Sequence, residues 1–253
     1  MDFDEIFPKG DNLPGNPGYF DPDRKKNYVV ICLDRSGSMQ SIKQQAIEFF
    51  NAQVVEAKNA SKDMDNHMCL ITFNDKIDIV DWDVDANDVK LLDAESYHPQ
   101  DWTAMLDAVG KGVTKLKEQA DINDENVAVL FTVISDGLEN ASKEYSYEAI
   151  SKLINEMTET KRWTFTYLGS NQDLSQIRKM GISEGNIRAF TASPEGVAEI
   201  NSMHSVSSSN YYFGRSAGMT MTSSFYGGGD NSLLGGAVGS KPEKVRPKKK
   251  TQS

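Results

Sequence analysis

Tyr28-Val29-Val30-Ile31-Cys32-Leu33 is an unbroken apolar run that stops at Asp34, and after Met39 the apolar residues change to helical spacing through Ile42, Ala46, Phe49, Phe50, Val54 and Ala57. A continuous run of that length fits a parallel strand covered on both faces, and the change of period marks an amphipathic helix packed back on it. The same change recurs. His67 to Phe73 reads as a strand; Leu106, Val109, Val113 and Leu116 as a helix; Val127 to Ile134 as a buried strand. Tyr147, Ile150, Leu153, Ile154 and Met157 mark a further helix, followed by a strand over Trp163 to Leu168. Ile77, Ile79 and Trp82 follow the short turn Asn74-Asp75-Lys76 and predict an antiparallel edge strand. Asp173-Leu174-Ser175-Gln176 opens a short helix, Ile187 to Phe190 supplies a last strand, and Ser193-Pro194 caps another helix. Strands alternating with helices predict an α/β fold: a doubly wound, mostly parallel open sheet with one antiparallel edge strand and helices on both faces. Ligands of such sheets bind beyond the carboxyl ends of the strands.

The ends of the chain read differently. Residues 1–26 carry Pro8, Pro14, Pro17 and Pro22 and predict an irregular lead-in. Residues 27–205 hold the periodic segments and form the expected domain. From 206 to 253 Ser, Gly and Asn dominate, with Gly227-Gly228-Gly229 and Gly235-Gly236, which predicts a flexible extension ending in a basic tail. The formal net charge is -10, yet Lys241 to Ser253 contributes six basic residues against one acidic, so the rest of the chain stands at -15. A body that acidic repels nucleic acid and favours cations. No apolar run is long enough to span a bilayer, and Met1 to Pro14 lacks the apolar centre of a signal peptide, so a cytoplasmic protein that does not engage membrane is expected. Cys32 and Cys69 sit in apolar strand runs and read as buried reduced thiols.

Asp34-Arg35-Ser36-Gly37-Ser38 lies where the first strand gives way to a helix, and Ser135-Asp136-Gly137 ends the strand Val127 to Ile134. Both segments therefore fall at the same edge of the sheet. Thr103 precedes a helix starting near Ala104 and adds a hydroxyl. Oxygen donors without His or Cys suit a hard ion, and small hydroxyl donors suit octahedral Mg²⁺ better than a bulky Ca²⁺ cage; Mn²⁺ is also admitted.

Asp34, Ser36 and Ser38, with Thr103 and Asp136, resemble the Asp-x-Ser-x-Ser motif and the two remaining parts of the metal ion-dependent adhesion site of von Willebrand factor A (VWA) domains, over roughly Asn27 to Ser205. The resemblance is to intracellular members of bacterial or phage type. It implies a Rossmann-like sheet, a divalent cation on those five residues, and an open position that takes an Asp or Glu from a protein partner. It also implies a setting within an ATPase-containing assembly. The family commonly has glycine before the threonine, where this chain has Trp102. Trp102 serves either as a rim contact or as a core residue, and Asp101 either faces solvent or supplements the metal shell.

The expected function is a cation-dependent protein-binding module with no catalytic residues. The alternative is a metal-dependent phosphatase or hydrolase using Asp34 as phosphoryl acceptor. That chemistry usually places a second acid two residues on, where Ser36 stands, and no lysine motif or general base accompanies it. A nucleotide-binding reading lacks a Gly-rich phosphate loop with lysine. His98 lies in the loop before Thr103 but reads as incidental because the site's chemistry calls for oxygen; His67 and His204 have no ligand-like spacing, and Glu139 and Asn140 are expected to shape the loop after Asp136 through local hydrogen bonds.

Overall fold

The computed structural model describes residues 24–170, 174–191 and 193–227. Six strands form one sheet: β1 (Lys26–Asp34), β2 (Asp65–Phe73), β3 (Ile77–Asp85), β4 (Val127–Ser135), β5 (Trp163–Ser170) and β6 (Ile187–Phe190), in the order β3-β2-β1-β4-β5-β6. All neighbours pair in parallel except β3, which runs antiparallel to β2 at the edge. The helices are α1 (Lys43–Ala60), α2 (Met105–Lys117), α3 (Tyr147–Glu159), the single turn α4 (Leu174–Ile177) and α5 (Pro194–Ser216). This is the doubly wound, mostly parallel sheet with one antiparallel edge strand that the alternating periods predict.

The unbroken apolar run of β1 is explained by burial on both sides. Val29, Ile31 and Leu33 point into a core with Phe49, Phe50 and Val54 of α1 and with Tyr211 and Tyr212 of α5. Tyr28, Val30 and Cys32 point into the opposite core with Leu106, Val109 and Val113 of α2 and Ile150 and Ile154 of α3. Each large apolar side chain removed from water this way contributes about 1.5–3 kcal/mol before entropy is counted. Cys32 and Cys69 are buried free thiols. No helix among the described residues is long and apolar enough to cross a membrane.

Two boundaries differ from the sequence reading. The chain after Ser36 first forms a 3-10 turn over Gly37–Ile42, and α1 starts only at Lys43, without a side-chain cap. The larger correction concerns the extension expected from residue 206. Ser193 caps α5 through Gly196 N as predicted, but α5 continues to Ser216, and Phe225 and Tyr226 are buried beyond it. Serines mislead here because they are buried at a helix contact. Ser208 Oγ donates to Gln53 Oε1 at 2.8 Å, and Asn201 Nδ2 donates to the Gln45 carbonyl at 3.0 Å, so small side chains let α5 lie close along α1. His204, in the same contact, has Nδ1 2.7 Å from the Tyr226 hydroxyl, and burial pushes its imidazole down to about 3, which keeps it neutral. Most of the lead-in, the expected N-cap Asp173 and the basic tail lie outside the described residues.

Candidate functional site

β1 and β4 are adjacent and parallel, with Leu33 opposite Ile134, so the residues that follow, Asp34 and Ser135, meet at the carboxyl end of the sheet. Asp34 is fully buried. Its Oδ1 accepts from Ser36 N at 2.6 Å and its Oδ2 from Ser135 Oγ at 2.5 Å. Its backbone carbonyl accepts a short hydrogen bond from the buried Tyr97 hydroxyl.

The other hydroxyls and the second carboxylate gather above it. Ser36 Oγ lies 3.2 Å from Ser38 Oγ, and Ser38 Oγ donates to Asp136 Oδ1 at 2.5 Å. Gly137 brings in the fifth residue. A Cβ added there would stand 2.9 Å from Thr103 Oγ1, 3.2 Å from Ser38 Oγ and 3.5 Å from Ser36 Oγ, so only a bare Cα leaves that space open. The structure thus brings Asp34, Ser36, Ser38, Thr103 and Asp136 together. Asp34, Ser36 and Thr103 are buried, Asp136 is half-buried and Ser38 is exposed, which gives the cluster one face toward solvent.

Electrostatically the cluster is unbalanced. Burial pushes the Asp34 carboxyl up to about 7, with the hydrogen bonds from Ser135 and Ser36 opposing it only in part. Burial also raises the Asp136 carboxyl. Among the described residues neither acid has a cationic side chain at ion-pair distance, and Arg35, beside Asp34 in sequence, pairs with Asp78 at 2.5 Å instead. No group of three or more His, Cys, Asp and Glu among the described residues is placed to hold a metal. The donors of this site are two carboxylates and three hydroxyls, a set of a different kind.

Loop clamps hold these donors. Glu139 accepts from Ala141 N and Ser142 N, the local bonds expected of it, and also from Leu106 N, while Asn140 Oδ1 reaches across to accept from Thr103 N at 2.9 Å, which is not the local bond expected. Sequence reasoning missed Asp107, Asn74, Ser135 and Tyr97. Asp107 takes the amides of Lys143, Glu144 and Tyr145. Asn74 donates to the Gln100 carbonyl at 3.2 Å, while its own carbonyl accepts from Ala104 N at 2.7 Å. An acid in the first turn of an amphipathic helix, as Asp107 is, carried the only local signal. Asp101 and Trp102 are exposed, and His98 Nε2 contacts the Glu95 carbonyl at 2.6 Å. Gly169 and Ser170 end β5, while Asn171 and Gln172 lie outside the described residues.

The family model for the von Willebrand factor type A domain matches residues 29–203. No curated protein matches the chain. Among solved structures it is similar to proximal thread matrix protein 1 from the mussel byssus, at 15% identity and a TM-score of 0.49, covering 71% of this chain and 45% of that one. It is similar to a von Willebrand factor type A protein from Catenulispora acidiphila, at 14% identity and a TM-score of 0.45, over 73% of this chain and 43% of that one. It is also similar to the manganese-loaded TRAP protein of Plasmodium vivax, at 16% identity and a TM-score of 0.43, over 71% of this chain and 72% of that one. The chain therefore spans less than half the length of the first two.

Proposed function

The chain belongs to the von Willebrand factor type A domain family, and from that premise we propose that it captures a protein partner through a divalent cation held by Asp34, Ser36, Ser38, Thr103 and Asp136. The observation that carries this reading is the pair of carboxylates, one buried and one half-buried, that face three hydroxyls with no cationic side chain at ion-pair distance among the described residues. Two such acids repel each other and lose hydration, and a cation from outside the chain relieves both costs. The residues fit that ion. Their donors are all oxygen, the preference of Mg²⁺ or Mn²⁺, and the space a Cβ at Gly137 would fill is bordered by three of the hydroxyls.

A divalent cation bound there supplies a positive charge and an open position for the carboxylate of a partner's Asp or Glu. The chain's own residues do the rest. Ser135 and Ser36 N fix the Asp34 carboxylate, Asn140 fixes the Thr103 backbone, and the exposed Ser38 marks the side from which a partner approaches. The phosphoryl-acceptor alternative fares worse. Asp34 is fully buried, and Ser36 stands where that chemistry usually has a second acid.

Calorimetric titration of the chelator-treated protein with Mg²⁺, repeated on Ser36→Ala, tests the metal. Partner capture with and without EDTA tests the binding mode, and capture that persists unchanged in excess chelator overturns the proposal.

A further inference from the structure

Trp102 is the most exposed large apolar side chain among the described residues, at 67%, and Leu138 is exposed at 47%. Single exposed apolar residues are ordinary, and either alone would mean nothing. These two belong to the two loops that furnish Thr103 and Asp136. Trp102 immediately precedes Thr103, and Leu138 immediately follows Gly137, whose Cβ position lies 2.9 Å from Thr103 Oγ1. Consecutive Cα atoms stand about 3.8 Å apart, so Trp102 is rooted one peptide unit from the donor Thr103 and Leu138 two from the donor Asp136.

The loops that carry them are fixed. Gln100 N donates to the Arg35 carbonyl at 2.8 Å and Gly37 N to the Asp101 carbonyl at 3.0 Å, while Asn140 N and Ala141 N both donate to the Thr103 carbonyl, at 3.0 and 3.1 Å. These last bonds, with Thr103 N to Asn140 Oδ1, clip the two loops to each other. Asp101, just before Trp102, holds φ at 66°. That left-handed conformation costs a non-glycine residue about 1–3 kcal/mol and persists only where surrounding contacts impose it. The tryptophan is thus presented by an over-determined backbone, and little ordering entropy remains to be lost when something covers it.

We propose that the partner segment carries a large apolar or aromatic residue within two positions of the acid that reaches the metal, and that Trp102 and Leu138 cover that residue. The inference rests on the cation-dependent reading above. An extended segment advances about 3.4 Å per residue, so a neighbour one or two positions from the acid lies about 3–7 Å away, within reach of side chains rooted beside the cluster. A large aromatic in such a place excludes water from the charged contact beside it, which is how a few anchors come to dominate an interface.

The test is a displayed library of heptapeptides with Asp or Glu fixed at the centre and all other positions random, panned on the full chain in Mg²⁺ and eluted with EDTA. Eluted clones are expected to be enriched in Phe, Tyr, Trp, Leu or Ile within two positions of the acid. The double variant Trp102→Ser, Leu138→Ser should yield clones without that enrichment and bind the selected peptides about tenfold more weakly or worse. Trp102→Phe, which keeps an aromatic face, should retain it; circular dichroism checks that all three proteins are folded. EDTA-eluted clones with no flanking preference, or a preference that survives in the double variant, overturn this inference and leave the cation-dependent reading standing. An absence of EDTA-eluted clones overturns that reading, and this inference with it.

Discussion

At the amino ends of β1 and β2, Lys26 Nζ lies 2.7 Å from Asp121 and 3.9 Å from Asp83, His67 Nδ1 lies 2.6 Å from Asp83, and Arg24 Nε lies 2.6 Å from Asp65. At the carboxyl ends of β1 and β4, Asp34 and Asp136 have hydroxyls and an amide for neighbours and no cationic side chain among the described residues. Burial is the largest influence on Asp121 at one end and on Asp34 and Asp136 at the other, and it acts in the same direction. For Asp121 the hydrogen bonds from Lys26 and Tyr28, with the Lys26 charge, outweigh burial and hold the carboxyl below its ordinary value. For Asp34 hydroxyl and amide donors are not enough, and the carboxyl rises to about 7. What separates the two ends is therefore burial and charge together: Asp34 is fully buried among hydroxyl and amide donors, whereas Asp121 is partly exposed beside Lys26. One end pairs its acid with a cationic side chain, and the other has none among the described residues.

The largest expected effect lies at the paired end. Arg215, fully buried on α5, donates to Asn27 Oδ1 at 2.6 Å and to the carbonyls of Met219, Lys26 and Asn126. Arg215→Met strands those acceptors and should cost about 3–5 kcal/mol in urea unfolding, with Mg²⁺ affinity of the folded protein unchanged. Asp34→Asn should do the reverse. It keeps an acceptor for Ser36 N, so stability in EDTA should not fall, while Mg²⁺ affinity in calorimetry drops about 100-fold or more. A matching loss of stability would break the contrast between the two ends. Gly137→Ala places a methyl 2.9 Å from Thr103 Oγ1 and should weaken Mg²⁺ about tenfold, while core packing is little disturbed.

The smallest effect sharpens the electrostatic side of the comparison. Because the folded-state pKa of Asp121 lies below its ordinary 3.8, its carboxylate contributes stability above that value and loses the contribution as pH falls through the folded pKa. Asp121→Asn should therefore lower stability at neutral pH, by less than about 1 kcal/mol given its partial exposure, and flatten the acid limb of unfolding followed between pH 2 and 5.

The fold was legible where burial is periodic. β1 and β4 announce themselves as unbroken apolar runs, and the donor positions follow because strand ends fall next to Asp34 and Asp136 in the chain. Three kinds of feature were not legible. Ser135, Asn74 and Tyr97 act through hydrogen bonds to partners 26 to 101 residues away, and such bonds leave no local pattern. The 3-10 turn Gly37–Ile42 replaces the expected first turn of α1, a difference in hydrogen bonding that apolar spacing does not register. The second half of α5 buries Ser207, Ser208 and Arg215, residue types that signal solvent when read alone, so a packed helix passed for an extension. Trp102 was open between rim and core, and its exposure excludes the core.

The two carboxylates stem from β1 and β4, neighbouring interior strands whose pairing Leu33 to Ile134 sets Asp34 level with Ser135. Neither strand can fray from an edge, since β2 flanks one and β5 the other. Separating Asp34 from Ser135, the residue before Asp136, then requires the sheet to part at its middle, so the spacing of these two strand ends should last as long as the slowest-exchanging amides of the protein do. Any adjustment of this rim is therefore left to the loops that follow the strands, which carry Ser36, Ser38, Thr103 and Asp136.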